Sequence, residues 1–256
     1  MFLKLWKYEI KCSYRNYLFT YAVLLLAALM FNQSNEVLMA LISILFTVMI
    51  FATVIMTFVM VIRSYQNSMF SRAGYLTQTL PVSSKKILLV KILNSSLWFI
   101  LSYMVIMAAV LMLVWRTGEI NFGEIFQALG YAISEMTFDG WMMILAMLIS
   151  VIETVTMIYM IMNLTHTNYI RSHRGIIAVV LFFGINLLIS FINGLVFPNS
   201  SLDMGFAFSM GMADTSNAAL SAVDTAFYIS MIEGVILTGV YFFAAAYLLD
   251  HKLEIE

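Results

Sequence analysis

A chain of 256 residues that is 62% hydrophobic and only 11% charged, with mean hydropathy +0.95, is excluded from the ordinary soluble class, whose charged share is about a quarter. The net charge of −1 is sorted by loop rather than gathered on a basic face, so nothing points to a nucleic-acid partner. The single cysteine, Cys12, excludes an intrachain disulfide and any cysteine-built metal site. What remains is an all-α polytopic membrane protein, read as a single transmembrane domain over residues 1–256.

Residues 1–16, MFLKLWKYEIKCSYRN, predict an amphipathic helix lying in the membrane interface. Lys4, Lys7, Lys11 and Arg15 fall on one arc at about 100° per residue, and Phe2, Leu3, Leu5, Trp6 and Ile10 on the other. Glu9 and Ser13 interrupt the apolar arc, which marks part of that face for protein rather than lipid. No small-x-small cleavage site follows Phe31, so this end is expected to be retained.

Apolar runs follow at Tyr17 to Phe31, Val37 to Ile62, Leu97 to Trp115, Trp141 to Leu164, Ile176 to Phe197 and Ala226 to Leu249. The third helix is expected to begin near Ser84, with a span of about 86–115. Most runs reach the ~20 residues that cross a bilayer core, and the short first run is completed by the helix before it. Six spans are therefore expected, the first two forming a hairpin through Asn32 to Glu36. With both termini in the cytoplasm, twelve of the thirteen basic residues lie inside and only Arg116 outside.

Of the two larger external segments, Arg116 to Gly140 carries Phe122, Ile125, Phe126, Leu129 and Ile133 at steps of three and four, which predicts a short amphipathic helix. Residues 198–225 are rich in Gly, Ser, Ala, Asn and Asp, with a short helix expected over Asn217 to Asp224.

Two acids interrupt apolar runs, Glu153 in the fourth span and Glu233 in the sixth. An ionisable group at the bilayer centre costs on the order of 3 kcal/mol, so both are candidates for lining a substrate path or moving protons. Their structural alternative is hydrogen bonding across helices to Thr154, Thr156, Asn186, Asn193 or Thr238. Asn186 and Asn193 lie seven residues apart and share one face of the fifth span, which turns that face away from lipid. His166, His173 and His251 do not form a metal-ligand pattern, and no HExxH is present. The 21 methionines and 20 phenylalanines suit an adaptable apolar cavity, although most are expected to face lipid or neighbouring helices.

Between the second and third spans lies RSYQNSMFSRAGYLTQTLPVSSKKILLVK, Arg63 to Lys91, basic and held at both ends by membrane. Gln66 to Arg72 predicts a short helix ended at Gly74, Leu80-Pro81 forces an extended turn, and Ser83 or Ser84 caps the next helix. The string Tyr75-Leu76-x-x-x-Leu80-Pro81-Val82-Ser83-x-Lys85-Lys86-Ile87-Leu88-x-x-Lys91 resembles the pattern after the second span of ABC-2-type permeases, the membrane subunits of bacterial ABC exporters. Six spans, a basic amphipathic first helix and a structured segment between spans five and six extend the resemblance along the chain.

That resemblance implies a dimer of permease subunits in the bacterial cytoplasmic membrane, with separate ATP-binding subunits on the cytoplasmic face. Residues 1–16 would correspond to the family's connecting helix, and the segment about Arg63 to Gly74, within the cytoplasmic loop 63–85, to its coupling helix. Coupling would fall to Arg63, Tyr65, Met69, Phe70, Arg72, Tyr75, Leu80 and Pro81, while Glu153, Glu233, Asn186 and Asn193 would line or stabilise the path. ATP and Mg would be bound by the partner, since no GxxxxGK[ST] occurs here and Gly118 and Gly123 are followed by Glu124. The expected function is export of an amphipathic or hydrophobic substrate, foremost a peptide toxin or antimicrobial peptide. The alternatives are a proton-coupled secondary transporter of drugs or lipids using Glu153 or Glu233, and a non-transporting membrane sensor or scaffold.

Overall fold

A computed structural model of the chain describes residues 2–30, 36–70, 83–116, 121–135, 138–167, 173–196 and 217–251. The elements are α1 (Phe2–Leu29), α2 (Glu36–Met69), α3 (Ser84–Arg116), α4 (Phe122–Ser134), α5 (Phe138–Thr165), α6 (Arg174–Val196) and α7 (Asn217–His251). Five contain stretches long and apolar enough to cross a membrane: Leu41–Met69, Ser84–Arg116, Gly140–Thr165, Arg174–Leu195 and Phe227–Asp250. The chain is a helical, multi-pass membrane protein.

The first run is not among those five, because residues 2–29 form one continuous helix whose apolar part is short and whose first half carries the charges. No glycine or proline lies between Phe2 and Leu29 to divide interface from span. The second helix likewise overruns its expected end at Ile62 and continues to Met69. Its polar residues there are compatible with the helix, and the Ser68 hydroxyl donates back to the carbonyls of Ser64 (2.8 Å) and Tyr65 (3.1 Å). A separate short helix beginning at Gln66 is therefore absent from the described residues. At the other end, α3 starts where the serines predict, with the Ser83 carbonyl accepting from the Lys86 and Ile87 amides at 2.9 and 3.3 Å.

α4 begins at Asn121, whose backbone N–H donates to the Glu124 carboxylate at 3.2 Å, and it leaves Phe126, Tyr131 and Ile133 exposed. The expected short helix at 217–224 is instead the start of a single 35-residue α7.

The chain divides into two compact units, residues 1–151 and 152–255. In the first, α1 packs chiefly on α3 rather than on its sequence neighbour α2. Glu9 meets Lys91, Tyr17 stacks on Trp98, and Tyr21 meets Ser102, so the two helices run parallel with an offset of 81–82 residues. The seam on α3 falls at Leu88, Lys91, Ser95, Trp98, Ser102 and Ala109, alternating steps of three and four before a final seven, and all are buried. Steps of this kind keep one face towards its partner along a slightly supercoiled pair. Farther along, Leu24, Ala28, Phe46 and Ala109 close an apolar cluster.

The second unit contains the last part of α5 with α6 and α7. Met157, Ile161 and Tyr241 form its buried centre, with Phe182, Ile185 and Leu237 packed against them. The Asn163 amide donates to the Ala245 carbonyl at 3.1 Å, fixing α5 against α7 at a fully buried position.

Candidate functional site

In the first unit the most heavily charged feature inside the helices is Lys91. A lysine is costly to bury in apolar surroundings unless its ammonium is paired. Here the side chain is 4% exposed, and Nζ donates to Glu9 Oε1 at 2.7 Å and to Ser68 Oγ at 2.6 Å. One ammonium thus joins α1, the end of α2 and the start of α3. The sequence signal for Glu9 was its interruption of the apolar arc. Lys91 counts by sequence with the cytoplasmic cations near the start of the third helix; that helix starts at Ser84 as expected, and its packing against α1 and the end of α2 is what buries the lysine.

Deeper along the same seam, the Tyr17 and Trp98 rings stack at 4.3 Å between centroids and 5° between planes. Beyond them the Tyr21 hydroxyl lies 2.7 Å from Ser102 Oγ, which also lies 3.0 Å from Thr57 Oγ1, so three helices share one buried hydroxyl cluster. The cluster has three protons for five contacts, and its outlets are helix carbonyls: Trp98 O lies 3.2 Å from the Tyr21 hydroxyl and 2.9 Å from that of Ser102, and Thr53 O lies 2.8 Å from that of Thr57. Nothing in the sequence marked this group, since each residue alone is an ordinary polar position in a span.

Alongside the seam, α1 and α2 border an open groove of about 1170 Å³. Arg15 and Arg63 stand on its two sides, with Asn16 and Asn67 near them and Phe19 and Met56 at its apolar end. Among the described residues neither arginine forms an ion pair.

Of the expected coupling residues, Arg63, Tyr65 and Met69 lie in α2 itself, and Phe70 follows its end. Arg63 is exposed, whereas Tyr65 and Met69 are turned inward at 1% and 3% exposure. Phe70 is half-buried and meets the Tyr65 ring edge-on at 5.8 Å. Arg72, Tyr75, Leu80 and Pro81 lie outside the described residues.

The second unit brings together part of the expected path. Asn193 on α6 donates through Nδ2 to both carboxylate oxygens of Glu233 on α7, at 3.2 and 3.1 Å. Asn186, on the same face of α6, turns instead to its own helix and to α5, donating to Phe182 O at 2.8 Å and towards Met157 Sδ at 3.9 Å. Glu153 on α5 is half-buried, and its carboxylate accepts no hydrogen bond from the described residues. The two acids therefore differ: Glu233 has a structural partner, and Glu153 has none among those residues. His166 Nδ1 lies 2.8 Å from the Met162 carbonyl, and among the described residues no group of His, Cys, Asp and Glu could hold a metal ion. Comparison with family models, curated proteins and solved structures finds no match to this chain.

Proposed function

We propose that this chain is the membrane-spanning subunit of an ATP-driven exporter of the ABC-2 type, with six spans and both termini in the cytoplasm. It moves an amphipathic or hydrophobic substrate, foremost a peptide, while a separate cytoplasmic subunit binds and hydrolyses ATP. A second permease copy completes a two-to-two complex. The observation that carries this reading is the string from Tyr75 to Lys91 between two membrane-length helices. Support comes from its last residue, Lys91, which ties the start of α3 to α1 and to the end of α2. Movement imposed on the 71–82 segment by a motor subunit would then reach three helices through one contact.

The test is purification of the chain from its native membrane in a mild detergent, with any bound soluble protein identified by mass. Recovery of an ATPase in equal number supports the proposal. An intact, monodisperse chain that never retains one removes it.

A second reading, proton-coupled transport, is favoured by Glu153, a half-buried acid within an apolar helix whose carboxylate has no hydrogen-bond partner among the described residues. Transport that persists without an ATPase and collapses when the proton gradient is dissipated would move the assignment there.

A further inference from the structure

We propose that the groove between α1 and α2 binds the phosphate of an anionic phospholipid between Arg15 and Arg63, with the lipid's chain running along Phe19 and Met56. The inference rests on α1 and α2 entering a bilayer and not on the transport reading.

The argument starts from register. Glu9 and Ser68 meet the same Lys91 ammonium, so they lie at one level. Tyr21 and Thr57 meet the same Ser102 hydroxyl, so they lie at a second. α1 climbs from the first level to the second while α2 descends, and the two helices are antiparallel. Arg15 stands six residues above Glu9 and Arg63 five residues above Ser68, which at 1.5 Å per residue is about 9 and about 7.5 Å. The two guanidinium-bearing residues therefore face the groove from opposite walls at nearly the same height.

Composition changes along the groove at that height. Asn16 and Asn67 lie beside the arginines, and Phe19 and Met56 lie farther into the apolar part of each helix. A phospholipid has the same order, an anionic phosphate with polar surroundings followed by an acyl chain. Guanidinium forks match phosphate oxygens in pairs, and neither fork is engaged by a carboxylate among the described residues. The one carboxylate on the groove wall, Glu9, is already neutralised by Lys91 and so does not repel an anion. A free phosphate would satisfy the arginines but leave the apolar end in water, which is why the lipid is the occupant.

The experiment is native mass spectrometry of the full chain in neutral detergent, titrated with phosphatidylglycerol and, separately, phosphatidylcholine. Phosphatidylglycerol should bind the more tightly. Arg15→Gln and Arg63→Gln should each weaken it about fivefold, the factor that about 1 kcal/mol per basic residue represents. Lys7→Gln, on α1 but outside the groove, should leave it unchanged. If the arginine variants do not fold, Asn67→Asp, which sets a negative charge beside Arg63, should still weaken phosphatidylglycerol and spare phosphatidylcholine. Equal loss in the Lys7 variant would mean diffuse attraction and overturn the proposal. So would full displacement of the lipid by millimolar inorganic phosphate, or unchanged affinity in the Arg15, Arg63 and Asn67 variants. None of these readouts involves an ATPase, so this inference and the transport reading fail separately.

Discussion

Glu9 and Lys91 lie 82 residues apart in the chain and 2.7 Å apart in the fold, in the one ion pair that joins α1 to α3 among the described residues. Both side chains are largely withdrawn from solvent, Lys91 more than Glu9. Breaking such a pair on one side leaves a charge unsatisfied, whereas replacing both members with apolar groups of similar volume removes the desolvation cost along with the attraction. Glu9→Gln is therefore expected to destabilise the chain by about 3 kcal/mol, and the double variant Glu9→Leu with Lys91→Met to lie within about 1 kcal/mol of the parent. Equilibrium unfolding in mixed detergent micelles measures both. If the double variant is as unstable as the single, the pair contributes geometry that apolar packing does not restore.

The hydroxyl cluster should behave as a unit. Tyr21→Phe and Ser102→Ala each remove a member of a shared network, so their effects are expected to be less than additive, with a coupling energy of about 0.6–1 kcal/mol. Thr57→Val should couple to Ser102→Ala but only weakly to Tyr21→Phe, since Thr57 contacts Ser102 in this cluster. A thermodynamic cycle over the three sites reads this directly, and strict additivity would show that the distances of 2.7 and 3.0 Å carry no shared energy.

Glu153 and Glu233 are expected to separate on substitution. Glu233→Gln keeps one acceptor oxygen for Asn193 but replaces the other with an NH2 donor, and should lower stability by about 1–2 kcal/mol, to the same extent whether or not transport is affected. Glu153→Gln removes an acid that has no hydrogen-bond partner among the described residues and should leave stability unchanged or raised. Thermal unfolding and a transport assay on the same preparations distinguish the two. Lost transport with unchanged stability in the Glu153 variant would mark it as a path residue; a loss of stability there would make it structural.

Gly184 on α6 has open space where a Cβ would be, and Gly194 is the same. Within a single chain, Gly184→Ala should stabilise the helix by about 0.5–1 kcal/mol, through reduced backbone freedom in the unfolded state. If a second copy of the chain packs on this face, the added methyl groups will instead lower the dimer fraction. Unfolding and sedimentation of the same variant give the answer: raised stability with an unchanged dimer fraction would place this face against lipid, and unchanged stability would overturn the expectation.

How much of this was legible in the sequence depends on what each residue's neighbours reveal. The uninterrupted apolar runs from Val37, Trp141 and Ile176 disclosed α2, α5 and α6, because a stretch of that length and hydropathy has few other uses. Their ends were less legible. Ser64 falls beyond the expected end of the second span, and Gln66, Asn67 and Ser68 read as the start of a separate short helix, yet all of them continue α2 because no proline or glycine stops them. The same holds at Asn217, where polar residues extend α7. Partner choice was not legible at all. Tyr17 and Tyr21 announce a polar or aromatic stripe, but nothing near them in the chain indicates that Trp98 and Ser102 complete it. Asn193 was foreseen as a possible partner of the membrane acids, and Glu233 is the one it meets.

The parallel register of α1 and α3 has a consequence for how the chain is made. Glu9 leaves the ribosome 82 residues before the lysine that neutralises it, an interval of about 4–16 s at roughly 5–20 residues per second. During that time the first helix must wait at or in the bilayer with its acid uncompensated and its Tyr21 hydroxyl unpaired by α3. Its final placement is therefore a late event in biogenesis, set by the arrival of the third helix.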